Sequence, residues 1–217
     1  MSTSRPLRTA VTATAALTVL TALVAIRWGP LVRFDERIAA AALGAGSPGW
    51  IDAQILVTDV LSPWPWRLLV TVLAVRLYLL HRRREASLMF TPILVGGLLG
   101  GLLKLAVGRA RPTQPFDIAI GGAFPSGHAS TAVIACAVLA LAAPRRVRVP
   151  ALTAGGVVAV AVSCTRIGLD VHWASDVLGG WLLGIAVVAF TLVWGGPGLS
   201  PGGSGDRGTR TARPRSG

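Results

Sequence analysis

The sequence predicts an all-α, polytopic membrane protein built as a six-transmembrane-helix bundle. Three observations predict it. Of 217 residues, 53% are hydrophobic and 14% are charged. The apolar residues gather into runs, several of them near the ~20 residues that a helix needs to cross hydrocarbon. The basic residues fall mainly in short clusters between those runs, the pattern that orients membrane proteins. The net charge of +12 would alone suggest nucleic acid. The clustering assigns it to topology instead, so membrane lipids are the expected partners and no nucleic acid is.

In chain order, residues 1–8 read as a polar N-terminal leader carrying Arg5 and Arg8, and residues 9–195 as the membrane domain. Thr9 to Ile26 is close to the minimum length of a span. No clear small-residue cleavage site precedes Arg27-Trp28-Gly29-Pro30, so an uncleaved span is favoured. Ala39-Ala40-Ala41-Ala42 keeps a signal peptide as the rival reading. Gly44, Gly46, Pro48 and Gly49 then divide residues 27–63 into two short amphipathic pieces. Trp50 to Leu61 is too short to cross and carries Asp52 and Asp59, so it is expected to lie at the interface, re-enter or cap the bundle. Trp64 and Trp66 resemble an aromatic belt at the start of the second span, which runs to about Leu80.

His81-Arg82-Arg83-Arg84-Glu85 ends that span, with His81 expected at the interface rather than as a ligand. The third span runs from about Leu88 to Val107. Gly96 with Gly100, and Gly97 with Gly101, are small-residue pairs that permit close helix contact in lipid. Pro112 ends the helical stretch and 113–124 reads as a loop. The fourth span begins at Gly127 with Ser126 as N-cap and reaches about Ala143. Residues 144–148 form a basic turn, and the fifth span covers about Val149 to Cys164. A loop carries Arg166 and Asp170. The sixth span starts near His172 and ends near Trp194, with Gly180 and Gly184 as another small-residue pair. Residues 196–217 read as a disordered basic tail. Cys136 and Cys164 lie in apolar runs at different depths and are expected to be buried thiols rather than a disulfide.

Three polar clusters stand at the ends of these runs, where ionisable groups are costly and therefore point to function. Lys104, Arg111 and Arg166 are three cations suited to a phosphate's equatorial oxygens. Lys104 is the sole lysine of the chain. Seven residues separate it from Arg111, close to two helical turns, which predicts a shared face. Arg109, outside this spacing, is read as a headgroup contact in preference to a further cation of the cluster. Ser126 and Gly127 stand at a helix start, where free N–H groups and the dipole favour an anion. His128 and His172 supply two imidazoles, enough for a nucleophile and an acid. Asp176 follows His172 by four residues, so on a helix it faces the same side and can fix the imidazole tautomer.

The spacing Lys104-x6-Arg111-Pro112, Pro125-Ser126-Gly127-His128 and Thr165-Arg166-x5-His172-x3-Asp176 resembles the three signature motifs of the type 2 phosphatidic acid phosphatase family. That family contains the integral membrane lipid phosphate phosphatases and shares its active site with the vanadium haloperoxidases. Thr165 stands where that family usually has Ser. The resemblance implies a phosphohistidine on His172, oriented by Asp176, with His128 as acid and then base. It implies a phosphate held by Lys104, Arg111, Ser126, Gly127 and Arg166. No metal or other cofactor is expected, since no His-Glu-x-x-His or paired-carboxylate pattern appears.

With six spans, Arg5 and Arg8, residues 82–84, residues 145–148 and the tail arginines share one side, which should be cytoplasmic. The three motif clusters then share the extracytoplasmic side of the cell membrane. The function expected is hydrolysis of a lipid phosphate monoester or diphosphate, of phosphatidic acid, phosphatidylglycerol phosphate or polyprenyl diphosphate type. A lipid-linked transferase with an alcohol acceptor and a non-catalytic membrane scaffold are the rival readings.

Overall fold

The computed structural model describes residues 4–44, 47–112, 116 and 121–195. The expected tail (196–217) and most of the expected loop 113–124 lie outside the described residues. The described chain is all-helical, with eight helices: α1 (Ser4–Ala25), α2 (Gly29–Gly44), α3 (Pro48–Val60), α4 (Pro63–Leu79), α5 (Arg83–Val107), α6 (Gly127–Ala142), α7 (Arg145–Gly168) and α8 (Ala174–Trp194). The stretches Ser4–Ala25, Pro48–Leu79, Arg83–Val107, Arg145–Gly168 and Ala174–Trp194 are long and apolar enough to cross a membrane. The sixth bundle helix, α6, has 16 residues, about 24 Å at 1.5 Å per residue. It packs against α4, α5, α7 and α8. The chain is thus a multi-pass membrane protein, with the two short pieces expected before the second span present as α2 and α3.

The bundle forms around α6 and α8. Ile134, Ala135 and Val138 of α6 are buried with Val70 of α4 and Met89 and Ile93 of α5. Leu17 and Val24 of α1 pack with Leu183 and Val187 of α8 and with Phe124. The pair Gly180 and Gly184 lets α8 touch α6. A Cβ at Gly180 would lie 2.6 Å from the Ser126 carbonyl oxygen, and one at Gly184 2.9 Å from Val133 Cγ1. The two pairs on α5 divide. Gly96 and Gly100 face Ile134 and Leu183, whereas a Cβ at Gly101 would meet nothing within 4 Å and one at Gly97 only Arg67.

Several boundaries differ from the sequence expectation. α1 begins at Ser4, so Arg5 and Arg8 lie on its first turns rather than in a leader. α7 begins at Arg145, so the basic residues expected in a turn form its first turn, with Pro144 just before them. Arg166 belongs to the last turn of α7, not to a loop. α5 stops at Val107 because Gly108 adopts a left-handed conformation, φ 56°, and its N–H closes on the Lys104 carbonyl. Lys104 and Arg111 therefore do not share a helical face. His172 precedes α8, whose N-cap is Trp173, so it does not pair with Asp176 by helical spacing. Neither cysteine is fully buried as expected, Cys136 being half-buried and Cys164 exposed, and neither is in a disulfide.

Candidate active site

One end of the bundle gathers all three motif clusters. Lys104, in the last turn of α5, donates from Nζ to the Gly122 carbonyl at 2.6 Å. Arg111, in the segment beyond the left-handed Gly108, donates from Nε to Gly121 O at 3.2 Å and from Nη1 to Val171 O at 2.5 Å. The two cations meet by gripping successive carbonyls of one loop, which does the work that a common helical face was expected to do.

Ser126 caps α6, its Oγ accepting from the Ala129 N–H at 3.5 Å. Its own N–H donates to the Asp176 carbonyl at 2.9 Å, which fixes the start of α6 against the first turn of α8. The N-terminus of α6, with Gly127 as its first residue, thereby faces the same end of the bundle as α8. His128 follows and lies within electrostatic reach of Arg166, His172, Lys104 and Arg111.

Arg166 is buried and donates from Nη1 to Thr58 Oγ1 at 2.7 Å. Its carbonyl accepts from the His172 N–H at 3.1 Å, so the chain folds back after α7 and sets His172 beside Arg166. Thr165 turns its hydroxyl onto the Val162 carbonyl at 2.8 Å, away from this cluster.

His172 is 3% exposed. Its Nε2 lies 3.3 Å from Arg111 Nη1, and its Nδ1 lies 3.5 Å from Asp176 Oδ2, at the outer limit of a hydrogen bond. Such contacts often tighten when substrate binds. Burial lowers the imidazole's pKa from 6.5 to about 4; Asp176 opposes the shift, while Arg111 and Lys104 add to it. The ring is therefore neutral at pH 7. With Nδ1 turned toward Asp176 as the N–H nitrogen, the Nε2 lone pair faces Arg111, the state a nucleophile needs.

Asp176 is fully buried. Its Oδ2 accepts from the Trp173 N–H at 2.9 Å, closing the first turn of α8, and its Oδ1 accepts from Arg109 Nη1 at 2.6 Å. Arg109 is thus no headgroup contact. It bridges Asp176 to Asp35 of α2, reached by Nη2 at 2.7 Å, and stacks over the Trp173 ring with its Cζ 5.6 Å from the centroid. Among the described residues no group of three or more His, Cys, Asp or Glu side chains converges as a metal site.

Every residue expected from the motifs is thus found at this end of the bundle. Asp35, Thr58 and Ser175, and the role of Arg109, were not anticipated. Asp35 had a readable signal: it stands four residues from both Leu31 and Ala39, on the otherwise apolar stripe of α2 that packs inward.

A family model described as PAP2 superfamily matches residues 85–197. The lipid A 1-phosphatase of Rhizobium etli is 35% identical over 107 residues, 44% of this chain and 44% of that protein. The chain therefore spans less than half the length of that relative. Phosphatidylglycerophosphatase B of Bacillus subtilis is 29% identical over 171 residues, 74% of this chain and 82% of that protein. The crystal structure of the transmembrane PAP2-type phosphatidylglycerolphosphate phosphatase of Bacillus subtilis superposes with a TM-score of 0.75 at 26% identity, covering 86% of this chain and 94% of that one.

Proposed function

Because this chain belongs to the PAP2 superfamily, we propose that it is a membrane lipid phosphatase that removes a phosphate monoester or diphosphate through a phosphohistidine, without a metal ion. The observation that carries the reading is His172 set between Arg111 and Asp176, with Nε2 3.3 Å from the cation and Nδ1 3.5 Å from the carboxylate. The lipid phosphatases named among its relatives support the substrate class.

The phosphate lies among Lys104, Arg111 and Arg166, with Ser126 and the Gly127 N–H completing the cradle at the α6 N-terminus. The cations neutralise charge on the equatorial oxygens as it develops. His172 Nε2 attacks phosphorus in line while Asp176 holds Nδ1–H and stabilises the imidazolium. The bond from phosphorus to the lipid oxygen breaks, and His128, which the bound phosphate's negative charge lets hold a proton among these cations, protonates that oxygen as it leaves. His128, now neutral, takes a proton from water, which cleaves the P–N bond and returns His172.

The site opens on the extracytoplasmic face of the cell membrane. Arg5 and Arg8, the arginines of residues 82–84 and those of residues 145–148 stand at the helix ends opposite the motif clusters, and the positive-inside rule places them in the cytoplasm.

The test is phosphate release by the purified protein in detergent, from phosphatidic acid, phosphatidylglycerol phosphate and polyprenyl diphosphate. Release that persists in EDTA, is blocked by vanadate and is lost in His172→Ala is the expected result. Strict dependence on a divalent ion would reject the mechanism. Transfer to an added alcohol in place of phosphate release would reassign the protein as a transferase.

A further inference from the structure

Asp35 lies outside all three motif clusters, on a helix that precedes the second span, and is 1% exposed. A buried carboxylate is retained only where its charge is paired and its lone pairs are occupied. Here Oδ1 accepts from the Ser175 N–H at 2.9 Å. Oδ2 accepts from the Ser175 hydroxyl at 2.6 Å and from Arg109 Nη2 at 2.7 Å. Arg109 Nη1 in turn reaches Ser175 Oγ at 2.6 Å and Asp176 Oδ1 at 2.6 Å. The guanidinium fork is therefore divided, with one nitrogen on each carboxylate.

The division matters because an undivided fork prefers a bidentate grip on one carboxylate. If Nη2 were released, both terminal nitrogens could close on Asp176 and draw Oδ2 from His172 Nδ1, which is already 3.5 Å away. We infer that Asp35 is a positioning residue of this centre: by occupying half of the Arg109 guanidinium it keeps Asp176 Oδ2 turned toward His172. This rests on the phosphatase reading for its catalytic consequence, but not for its geometry. Asp35 touches none of the phosphate-holding groups, so its effect is on the orientation of the nucleophile and not on anion affinity.

The test uses the full chain in detergent, as wild type, Asp35→Asn, Arg109→Lys and Asp35→Asn/Arg109→Lys. Three readings are taken: kcat on the best lipid phosphate, vanadate affinity, and the tautomer of His172 by ¹⁵N NMR. The chain has three histidines, and His172→Ala identifies the signal. Asp35→Asn is expected to lower kcat at least about tenfold, short of the ~10⁴-fold that loss of a triad carboxylate itself costs. Vanadate affinity is expected to stay within about threefold while the Nδ1–H tautomer loses population. Lysine cannot grip two oxygens in a plane, so the double variant should be no slower than Asp35→Asn alone.

Vanadate affinity falling in step with kcat, an unaltered His172 tautomer, or losses that multiply in the double variant would each overturn the inference. Ser175→Ala removes a bridging hydroxyl without removing a charge, so it reads the same contact if Asp35→Asn fails to fold. It is expected to shift the tautomer in the same direction, and no shift would count against the role. If the wild type releases no phosphate from any lipid but the tautomer responds to Asp35→Asn, the phosphatase reading falls and the positioning role stands.

Discussion

Arg166 Nη1 donates to Thr58 Oγ1 at 2.7 Å, joining residues 108 positions apart in the chain. The contact makes α3 part of the site's wall. Thr58 and Gln54 are buried one turn apart on that helix, and Gln54 lies where a Cβ on Gly168 would intrude. A piece expected to lie at the interface, re-enter or cap the bundle thus holds a phosphate-binding candidate in place.

Thr58→Val keeps the shape and removes the acceptor. A hydrogen bond to a charged group contributes about 1.5–3 kcal/mol, so losing it is expected to weaken vanadate inhibition and raise KM about tenfold or more. The value of kcat should change less than threefold, because in the proposed mechanism Arg166 would grip phosphate in both ground and transition states. Thr58→Ser should behave as wild type. An unchanged KM in the valine variant would show that Arg166 needs no support from α3.

His172 and His128 are expected to fail differently. With a lipid substrate both alanine variants should lose activity by about 10³-fold or more. With p-nitrophenyl phosphate, whose leaving group needs no proton, His128→Ala should still form the phosphoenzyme and stall there, since water is no longer activated. Acid-labile ³²P should accumulate on His128→Ala and be absent from His172→Ala. Label on the second variant would displace His172 as the nucleophile.

How far the sequence disclosed this site depends on whether a residue acts through spacing or through a fold-back. Ser126 capping α6 was legible because an N-cap is local, and the approach at Gly180 because a small pair on an apolar helix has few other uses in lipid. The pairing of His172 with Asp176 was expected for the wrong reason. The four-residue separation suggested one helix, but the contact arises because His172 is tied by its N–H to the Arg166 carbonyl while Asp176 caps α8. Spacing alone likewise puts Arg111 on a helix that Gly108 ends. Arg109, Asp35 and Thr58 were not assigned to the site because their partners are 67, 74 and 108 residues away, and no local pattern encodes such pairings.

Acid is expected to destabilise the fold through His172. Its folded pKa is lowered to about 4 by burial, whereas the unfolded chain titrates near ~6.5. The unfolded state therefore binds the proton more tightly, and stability falls as pH drops from about 6.5 toward about 4, by at most about 1.4 kcal/mol per pH unit. Melting in detergent at pH 7.5 and at pH 5 checks this. The wild type should lose up to about 2 kcal/mol more than His172→Gln, which carries no titrating ring. Equal losses in the two proteins would mean that other groups carry the acid sensitivity.

Two glycines separate packing from the rest. At Gly180 an added Cβ would stand 2.6 Å from the Ser126 carbonyl and 3.0 Å from Ala129 Cβ. Backbone cannot yield there without moving the start of α6, so Gly180→Ala is expected to cost about 1–3 kcal/mol as overpacking. It should also reduce vanadate affinity, because the displaced atoms belong to the N-terminus proposed to cradle phosphate. At Gly101 nothing lies within 4 Å of the added carbon, and an alanine in a helix interior is favoured over glycine by up to about 1 kcal/mol. Gly101→Ala should therefore melt no lower than wild type and bind vanadate equally well. If both variants behaved alike, the contact between α6 and α8 would not be what sets the phosphate cradle, and the anion would have to be held by Lys104, Arg111 and Arg166 without help from the helix end.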